Sequence, residues 1–475
     1  MIMRILGIAL MSEGALMLLP FAAGLWYGER PWEFIICAVA AELIGLLFFL
    51  HKPKTNVIYA KEGFVSVALV WVAMSLVGAA PFVISGDIPS YVDAVFETVS
   101  GFTTTGASIL NNVEGLSRAG LFWRSFTHWL GGMGVLVFIM AVLPMSGDHS
   151  MHIMKAEVPG PVVGKLVPKA GQTAKILYLI YGCFTIAETI LLMLGGMDFF
   201  DAILHAFSTA GTGGFSTRNN GLLAFDSRYI ETVVACFLVL YGVNFNLYYL
   251  ILIGRVKNAL ESEELHVYFG LILTAVCAIT LGIVGIYGSV SDSIHKAFFY
   301  VMSILTTAGF TTWDYTLWPQ YIQVIFVILM FIGGCAGSTG GGMKLSRAML
   351  LVKTADVEIE KMVSPRRVKR VRMDGKCVEK SVTETVCSFF FLYLLILFIC
   401  TFVTSFDGYD FATSFTASLS CISNIGPGLS AVGPTGNFAI FSSGTKIVMA
   451  LTMLIGRLEI FPILITISSF LKKKQ

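Results

Sequence analysis

Four stretches of the chain, DAVFETVSGFTTTGA from Asp93, DAILHAFSTAGTGGF from Asp201, KAFFYVMSILTTAGF from Lys296 and TSFTASLSCISNIGP from Thr413, align on one glycine each: Gly106, Gly214, Gly309 and Gly426. Serine stands six positions before the glycine every time, as Ser100, Ser208, Ser303 and Ser420. A small residue stands twelve before it (Ala94, Ala202, Ala297, Ser414) and a polar one two before it (Thr104, Thr212, Thr307, Asn424). Small and hydroxyl residues around a glycine let a chain turn its carbonyl oxygens inward with no side chain in the way. That chemistry suits a bare monovalent cation, whose lost hydration costs tens of kcal/mol in hydrocarbon unless oxygens replace it.

The ten or so residues ahead of each glycine suit a short helix, whose partly negative C-terminal end would face the same cavity and favour cations over anions. Taken singly, a TTGA or a TAGF reads as a turn or a helix contact. Four in register, 108, 95 and 117 residues apart, read as a divergent internal repeat.

Two further features carry potential chemistry. GGCAGSTGGGMK, from Gly333 to Lys344, is too rich in glycine for regular helix, each interior glycine costing about 1 kcal/mol against alanine. It interrupts an apolar run, either as a mobile loop or as a simple kink. A phosphate-binding loop is excluded, because Met343 separates Gly342 from Lys344 and no strand precedes it. Arg457 lies inside the last apolar run, where a charge marks a functional site by default. Glu459, two residues on, could neutralise it, although residues two apart point to different helix faces.

The elements that must position these residues are membrane helices. With 56% apolar residues, 13% charged residues and a mean hydropathy of +0.79, the chain is no ordinary soluble protein. Apolar runs at about 3–26, 31–50, 63–84, 121–144, 173–195, 228–254, 266–289, 318–343, 383–405 and 444–471 are each long enough to span hydrocarbon. Ten crossings put both termini on one side. With that side cytoplasmic, the inner segments hold 24 of the 32 Lys and Arg, as the positive-inside rule requires. The outer segments carry acids such as Asp87, Asp93, Glu97, Asp201, Asp292 and Asp314, an arrangement expected to concentrate cations at the mouth. The first run follows Arg4 and resembles a signal peptide, but it is long and a second run follows at once, so it reads as a retained helix.

The nine cysteines fall mostly in apolar runs with no CxxC spacing, so neither a disulfide framework nor a zinc site is expected. An HxxH pair, His149 and His152, is too weak a signal for a metal. No nucleophile constellation or nucleotide-binding fold is legible, and no enzymatic activity is expected. The basic stretch SPRRVKRVRMDGKCVEK contains an Asp374-Gly375 turn between Val371 and Val378, which suits a small hairpin. Its charges fit anionic lipid, an acidic partner or a topological anchor.

SGFTTTGA, GTGGFST, TTAGFTT and SNIGPGLS, with HWLGGMG from His128, the glycine-rich GGCAGSTGGGMK and the closing GRLEIFP from Gly456, resemble the TrkH/TrkG-type potassium uptake proteins of the TrkH/KtrB/HKT cation transporter superfamily over essentially the whole chain. The extra helix pair before residue 60 is similar to the TrkH branch. The resemblance implies an all-α integral membrane fold of four pseudo-repeated helix–pore-loop–helix units around one pore, plus two N-terminal transmembrane helices. Its divisions are 1–60 for the helix pair, 61–150, 151–260 and 261–355 for the first three repeats, 356–382 for a basic cytoplasmic hairpin and 383–475 for the fourth repeat.

It further implies a potassium-binding filter at Thr104, Thr105 and Gly106, at Thr212, Gly213 and Gly214, at Thr307, Ala308 and Gly309, and at Asn424, Ile425 and Gly426. A serine at the first glycine goes with sodium transport in the plant relatives, so Gly106 favours potassium. The run Gly333, Gly334, Cys335, Ala336, Gly337, Ser338, Thr339, Gly340, Gly341, Gly342 and Lys344 becomes a gate loop, facing Arg457. No cofactor is expected, K+ being the transported ion. The implied partners are the lipid membrane, a second copy in a homodimer and a cytoplasmic TrkA-like ring protein with nucleotide-binding RCK domains, with no nucleic acid. The implied location is a bacterial inner membrane. Ion-coupled symport, using the intramembrane Glu13, Glu42 or Glu188, and a non-conducting membrane sensor are the alternatives.

Overall fold

The computed structural model describes residues 1–51, 60–134, 170–364, 366 and 369–472. His149, His152, Pro365, Arg367 and the end of the fourth apolar run lie outside the described residues. An N-terminal pair, α1 (Ile2–Leu16) continued by α2 (Leu18–Trp26) and α3 (Trp32–Leu50), precedes four successive groups. The first is α4 (Ala60–Ser85), a short α5 (Tyr91–Phe102) and α6 (Arg118–Gly132). The second is α7 (Ala170–Leu194), a short α8 (Phe199–Ala210), then α9 (Arg228–Gly242) and α10 (Phe245–Leu252). After a connecting turn, α11 (Val256–Leu260), the third is α12 (Glu263–Tyr287), a short α13 (Val290–Leu305), then α14 (Gln320–Ile332) and α15 (Leu345–Val363). Strands β1 (Arg372–Met373) and β2 (Lys376–Cys377) pair antiparallel before the fourth group: α16 (Lys380–Thr404), a short α17 (Phe411–Ser423), α18 (Ser443–Arg457) and α19 (Phe461–Lys472).

Among the described residues six helices are long and apolar enough to cross a membrane. Three of the apolar runs are broken, two of them expected to cross as single helices and the third at the glycine-rich stretch, where a break was expected. α9 and α10 bend by 86° and α18 and α19 by 113°, while α14 and α15 are separated by the glycine-rich stretch. Hydropathy counts apolar residues and is blind to chain direction, so a break costs the pattern nothing. The first break is made by Asn244, whose side chain accepts a hydrogen bond from the Asn246 amide at 2.9 Å and starts a new helix. The second bend has Glu459 and Ile460 in the left-handed region, at φ 57° and 66°.

Helices of the N-terminal pair meet through glycine. A methyl carbon built on Gly7 would stand 2.5 Å from the Gly45 carbonyl oxygen, the close backbone approach that small residues permit between apolar helices in lipid. The short helices α5, α8, α13 and α17 are each largely buried among the longer helices. Three of them start on a side-chain cap. Ser90 accepts from the Asp93 amide at 3.4 Å, Asp198 from the Asp201 amide at 3.3 Å and Ser289 from the Asp292 amide at 3.4 Å. An aspartate in each first turn complements the helix dipole.

Candidate functional site

The four short helices end alike. The residue two before each aligned glycine takes a left-handed conformation, with φ 53° at Thr104, 52° at Thr212, 62° at Thr307 and 56° at Asn424. The next amide then bonds back to the carbonyl of the recurring serine: Thr105 to Ser100, Gly213 to Ser208 and Ala308 to Ser303 at 2.8 Å, and Ile425 to Ser420 at 3.0 Å. That closure is a Schellman cap, which usually places glycine in the left-handed position. A β-branched threonine there costs about 1–2 kcal/mol, so the surrounding contacts must hold three of the four turns in place.

The glycines follow, again with positive φ: 76° at Gly106, 78° at Gly214, 70° at Gly309 and 101° at Gly426. Each packs on the backbone of the next loop. A methyl carbon on Gly106 would stand 1.8 Å from the Gly213 carbonyl oxygen, one on Gly214 would stand 2.0 Å from that of Ala308, and one on Gly309 would stand 2.0 Å from that of Ile425. Gly426 completes the circuit more loosely, 2.9 Å from the Thr105 carbonyl oxygen. The loops thus run first to second to third to fourth to first, forming a closed ring of backbone.

The ring is braced from outside. Ser303 Oγ donates to the Phe310 carbonyl at 2.7 Å and Ser420 Oγ to that of Gly426 at 2.6 Å, whereas the Ser100 and Ser208 hydroxyls have no hydrogen-bond partner among the described residues. At the looser junction the Asn424 amide nitrogen bridges to Thr105 Oγ1 at 2.9 Å and to the Met453 carbonyl at 3.0 Å. Behind the first loop, Glu97 accepts from Ser108 Oγ at 2.9 Å, from the Ile109 amide at 3.0 Å and from Arg124 Nε at 2.6 Å. Removing either side of that buried ion pair would leave an uncompensated charge and cost about 3–5 kcal/mol. Arg124 also lies over the Phe215 ring, 3.4 Å from its centroid, and His128 stacks on the ring's other side at 4.0 Å.

Outside the ring lies a vestibule of about 460 Å³, lined by all four glycines and by Asn111, Arg218, Asn219, Asp314 and Asn437 among others. The acidic mouth expected from the sequence is largely compensated here. Asp93 pairs with Lys446 at 2.7 Å, Asp201 with Arg218 at 2.6 Å and Asp292 with Arg228 at 2.9 Å, while Asp87 accepts from Ser117 Oγ at 2.7 Å. These acids serve helix starts and ion pairs, and Glu97 is buried away from solvent. Its hydrogen bond to Asp201 raises the pKa of the Arg218 guanidinium above its ordinary value. Of the acids, only Asp314 is among the residues that line the vestibule, and the ring itself presents backbone carbonyl oxygen.

On the opposite side the break between α14 and α15 packs directly beneath the ring. Helix α14 ends at Gly333 with φ 75°, and non-helical backbone runs to Lys344, also at φ 75°. The Gly341 amide donates to Thr307 Oγ1 at 2.6 Å, and a methyl carbon on Gly341 would stand 2.3 Å from the Ser423 carbonyl oxygen. Lys344 Nζ donates to the Gly340 carbonyl. The flank of the stretch is held by the α9–α10 bend: the Cys335 amide donates to the Gly242 carbonyl at 3.0 Å, and the Phe245 amide to that of Gly337 at 3.0 Å. Gly334 accepts from the Leu345 amide at 2.9 Å, and Gly342 faces Gly333. Ser338 is buried with no hydrogen-bond partner for its hydroxyl among the described residues.

Arg457 reaches this stretch from the end of α18. One nitrogen donates to the Thr339 carbonyl at 2.8 Å and the other to the Gly131 and Gly132 carbonyls at 2.5 and 2.8 Å. Glu459 does not neutralise it but pairs with Arg347. Sequence reasoning missed Asn244 and Glu264, which accepts from the Ala336 amide at 2.7 Å. Asn244 and Asn246 amid apolar residues were a readable signal for the first; nothing distinguishes Glu264 from its neighbour Glu263 in the sequence. Of the intramembrane acids, Glu42 is exposed, Glu13 is fully buried with no hydrogen-bond partner among the described residues, and Glu188 is fully buried close to Thr209 and Tyr241.

Residues 32–474 match the TrkH family of cation transport proteins. The Trk system potassium uptake protein TrkH of Salmonella typhimurium is 37% identical over 472 residues, covering 98% of this chain and 97% of that protein. TrkG of Escherichia coli, also a Trk system potassium uptake protein, is 36% identical over 462 residues, 96% of this chain and 94% of that protein. The crystal structure of the potassium transporter TrkH from Vibrio parahaemolyticus superposes with a TM-score of 0.88 at 33% identity, covering 98% of this chain and 97% of that one.

Proposed function

The chain belongs to the TrkH family of cation transport proteins, and from that membership we propose that it is the pore-forming subunit of a potassium uptake system. The observation that carries the reading is the closed circuit of four glycine-centred loops, each packed on the next loop's carbonyl. The filter is then formed by the carbonyls of Thr104 to Gly106, Thr212 to Gly214, Thr307 to Gly309 and Asn424 to Gly426, which replace the hydration shell of K+. The stretch Gly333 to Lys344 is the gate, held shut beneath the filter by Arg457. K+ enters from the vestibule, sheds water in the ring and passes inward when the loop withdraws. A potential of roughly 150 mV contributes about 3.5 kcal/mol per charge, enough to drive uptake without a built-in ATPase.

The protein resides in a bacterial inner membrane with both termini cytoplasmic, pairs with a second copy, and takes its regulation from a cytoplasmic nucleotide-binding subunit docked near the basic hairpin. Ion-coupled transport is less well supported. Glu13 packs toward Gly78 and Thr98, on the outer side of the first pore helix, and Glu188 toward Thr209 and Tyr241, so neither carboxylate lies among the filter carbonyls. Expression in cells lacking potassium uptake tests the function. Growth at low potassium that depends on the chain supports it, and growth unchanged by a membrane-inserted chain together with its cytoplasmic partner overturns it.

A further inference from the structure

Arg457 accounts for one edge of the glycine-rich loop, at Thr339. A second contact, at Ala336, comes from the first helix of the loop's own group. Glu264, in the first turn of α12 and buried, accepts from the Ala336 amide at 2.7 Å and also interacts with the Ser346 backbone where α15 begins. One carboxylate therefore joins the loop to the start of the helix that follows it.

The turn carrying Glu264 is itself fixed from the hairpin. Ser262 occupies the N-cap of α12 but makes no side-chain cap bond. Asp374, at the tip of the β1–β2 hairpin with φ 49°, accepts instead from the Glu263 amide at 2.8 Å. Lys353 of α15 closes the arrangement, pairing with Glu263 and donating to the Arg372 carbonyl at 2.9 Å. The first amides of a helix have no partner within it, so an outside carboxylate decides how well the turn is held.

We infer that Glu264 is a positioning residue that latches the loop at Ala336, and that the hairpin sets the latch through the cap Asp374 places on the adjacent residue. The inference rests on the gate reading given above. Pulling the hairpin away uncaps the first turn of α12, shifts Glu264 and leaves the Ala336 amide without its acceptor. A partner bound at the hairpin can thus loosen the loop without touching it. Glu264→Gln keeps an acceptor oxygen of the same reach, Glu264→Asp keeps the charge but is too short, and Glu264→Ala removes both.

Cys335 sits beside the latch and is 1% exposed, so its reaction with a membrane-impermeant thiol reagent added from the cytoplasmic side reports release of the loop. The test uses the full chain in proteoliposomes, with Cys183, Cys236, Cys277, Cys377 and Cys387 changed to serine, and reads Rb+ flux alongside labelling. Loss of a hydrogen bond to a charged group should raise both by about tenfold in Glu264→Ala and Glu264→Asp, and less in Asp374→Ala, with Glu264→Gln near the parent. If Arg457→Ala raises labelling and flux but Glu264→Ala and Glu264→Asp leave both unchanged, the latch is wrong and the gate stands. If neither position affects flux in well-inserted protein, the gate reading falls and the latch with it. Variants of Glu264 that release the loop while Asp374→Ala does nothing overturn the link to the hairpin.

Discussion

The ring of glycines and the loop beneath it are both irregular backbone buried in a membrane protein, yet they are held by opposite means. In the ring, backbone packs on backbone around a circuit, and three of the four left-handed turns accept a threonine that would rather be elsewhere. Strain of that kind persists only where the surroundings over-determine the conformation. The loop instead hangs on separable polar contacts, from Arg457, Lys344, Glu264 and Thr307, together with the bend at Gly242. The difference teaches that two irregular elements held in different ways can share glycine as their main ingredient. In the ring glycine lets one loop approach the next; in the loop it does the same where Gly341 meets the Ser423 carbonyl, and on the gate reading proposed above it would also lower the cost of refolding.

The largest effect that can break this comparison is a methyl group in the ring. Gly214→Ala and Gly309→Ala each force a carbon to 2.0 Å from a neighbouring carbonyl oxygen. Overpacking of that severity costs about 3 kcal/mol or more, and Rb+ uptake should fall at least about tenfold. Gly426→Ala meets its neighbour only at 2.9 Å and should keep more activity. Equal losses at all four positions would remove the asymmetry.

Next in size is the loop. Deleting Ala336 to Gly341, or making Arg457→Ala, removes contacts worth about 1.5–3 kcal/mol each, so flux without the cytoplasmic partner should rise about tenfold. Cation-over-anion selectivity should stay intact because the contacts of one ring loop on the next remain, the deletion removing the Gly341 contacts with the Thr307 side chain and Ser423. Reduced flux in both variants, with normal yield, would return the loop to a structural break.

A smaller effect is expected at the ring's looser junction. Asn424→Thr restores the residue type of the other repeats but loses the bridge to Thr105 and Met453, about 1 kcal/mol for a neutral hydrogen bond. Potassium preference over sodium should drop severalfold while total flux persists, measured as paired Rb+ and Na+ uptake.

The smallest concerns the hairpin. Arg366→Glu with Arg370→Glu should weaken co-purification with a nucleotide-binding partner in low salt. Lys369 is the poorer choice, because Asp356, at 2.8 Å, and Glu360 already engage it and raise its pKa. A complex that survives the double reversal would leave these charges as a topology signal.

Much of this was legible from spacing alone. The serine six before each glycine marked the repeat, and its carbonyl turns out to close each helix end. The glycine density from Gly333 to Gly342 marked the break, and an arginine in an apolar run marked Arg457. The hairpin turn at Asp374 was also readable, though its strands are only two residues each and α15 runs on to Val363. The bend after Arg457 was missed although Pro462, in the first turn of α19, marks a helix start; the positive φ itself falls on Glu459 and Ile460, residue types that do not announce it. Nor was compensation of the outer acids, because Asp93 meets Lys446 and Glu97 meets Arg124 only once the chain has folded. Composition reports charge, but only packing reports which charges face the pore.

The central claim is that the four-loop ring selects potassium, and the most direct test is the K+ to Na+ permeability ratio of purified protein in proteoliposomes, compared between the parent chain and Gly106→Ser. Gly106 has the closest neighbour in the ring, 1.8 Å from a built methyl carbon to the Gly213 oxygen, and its φ of 76° disfavours any side chain. The account predicts a parent ratio well above one and a ratio near one in Gly106→Ser, with the protein still inserted and folded. A well-folded Gly106→Ser that keeps the parent ratio would contradict it.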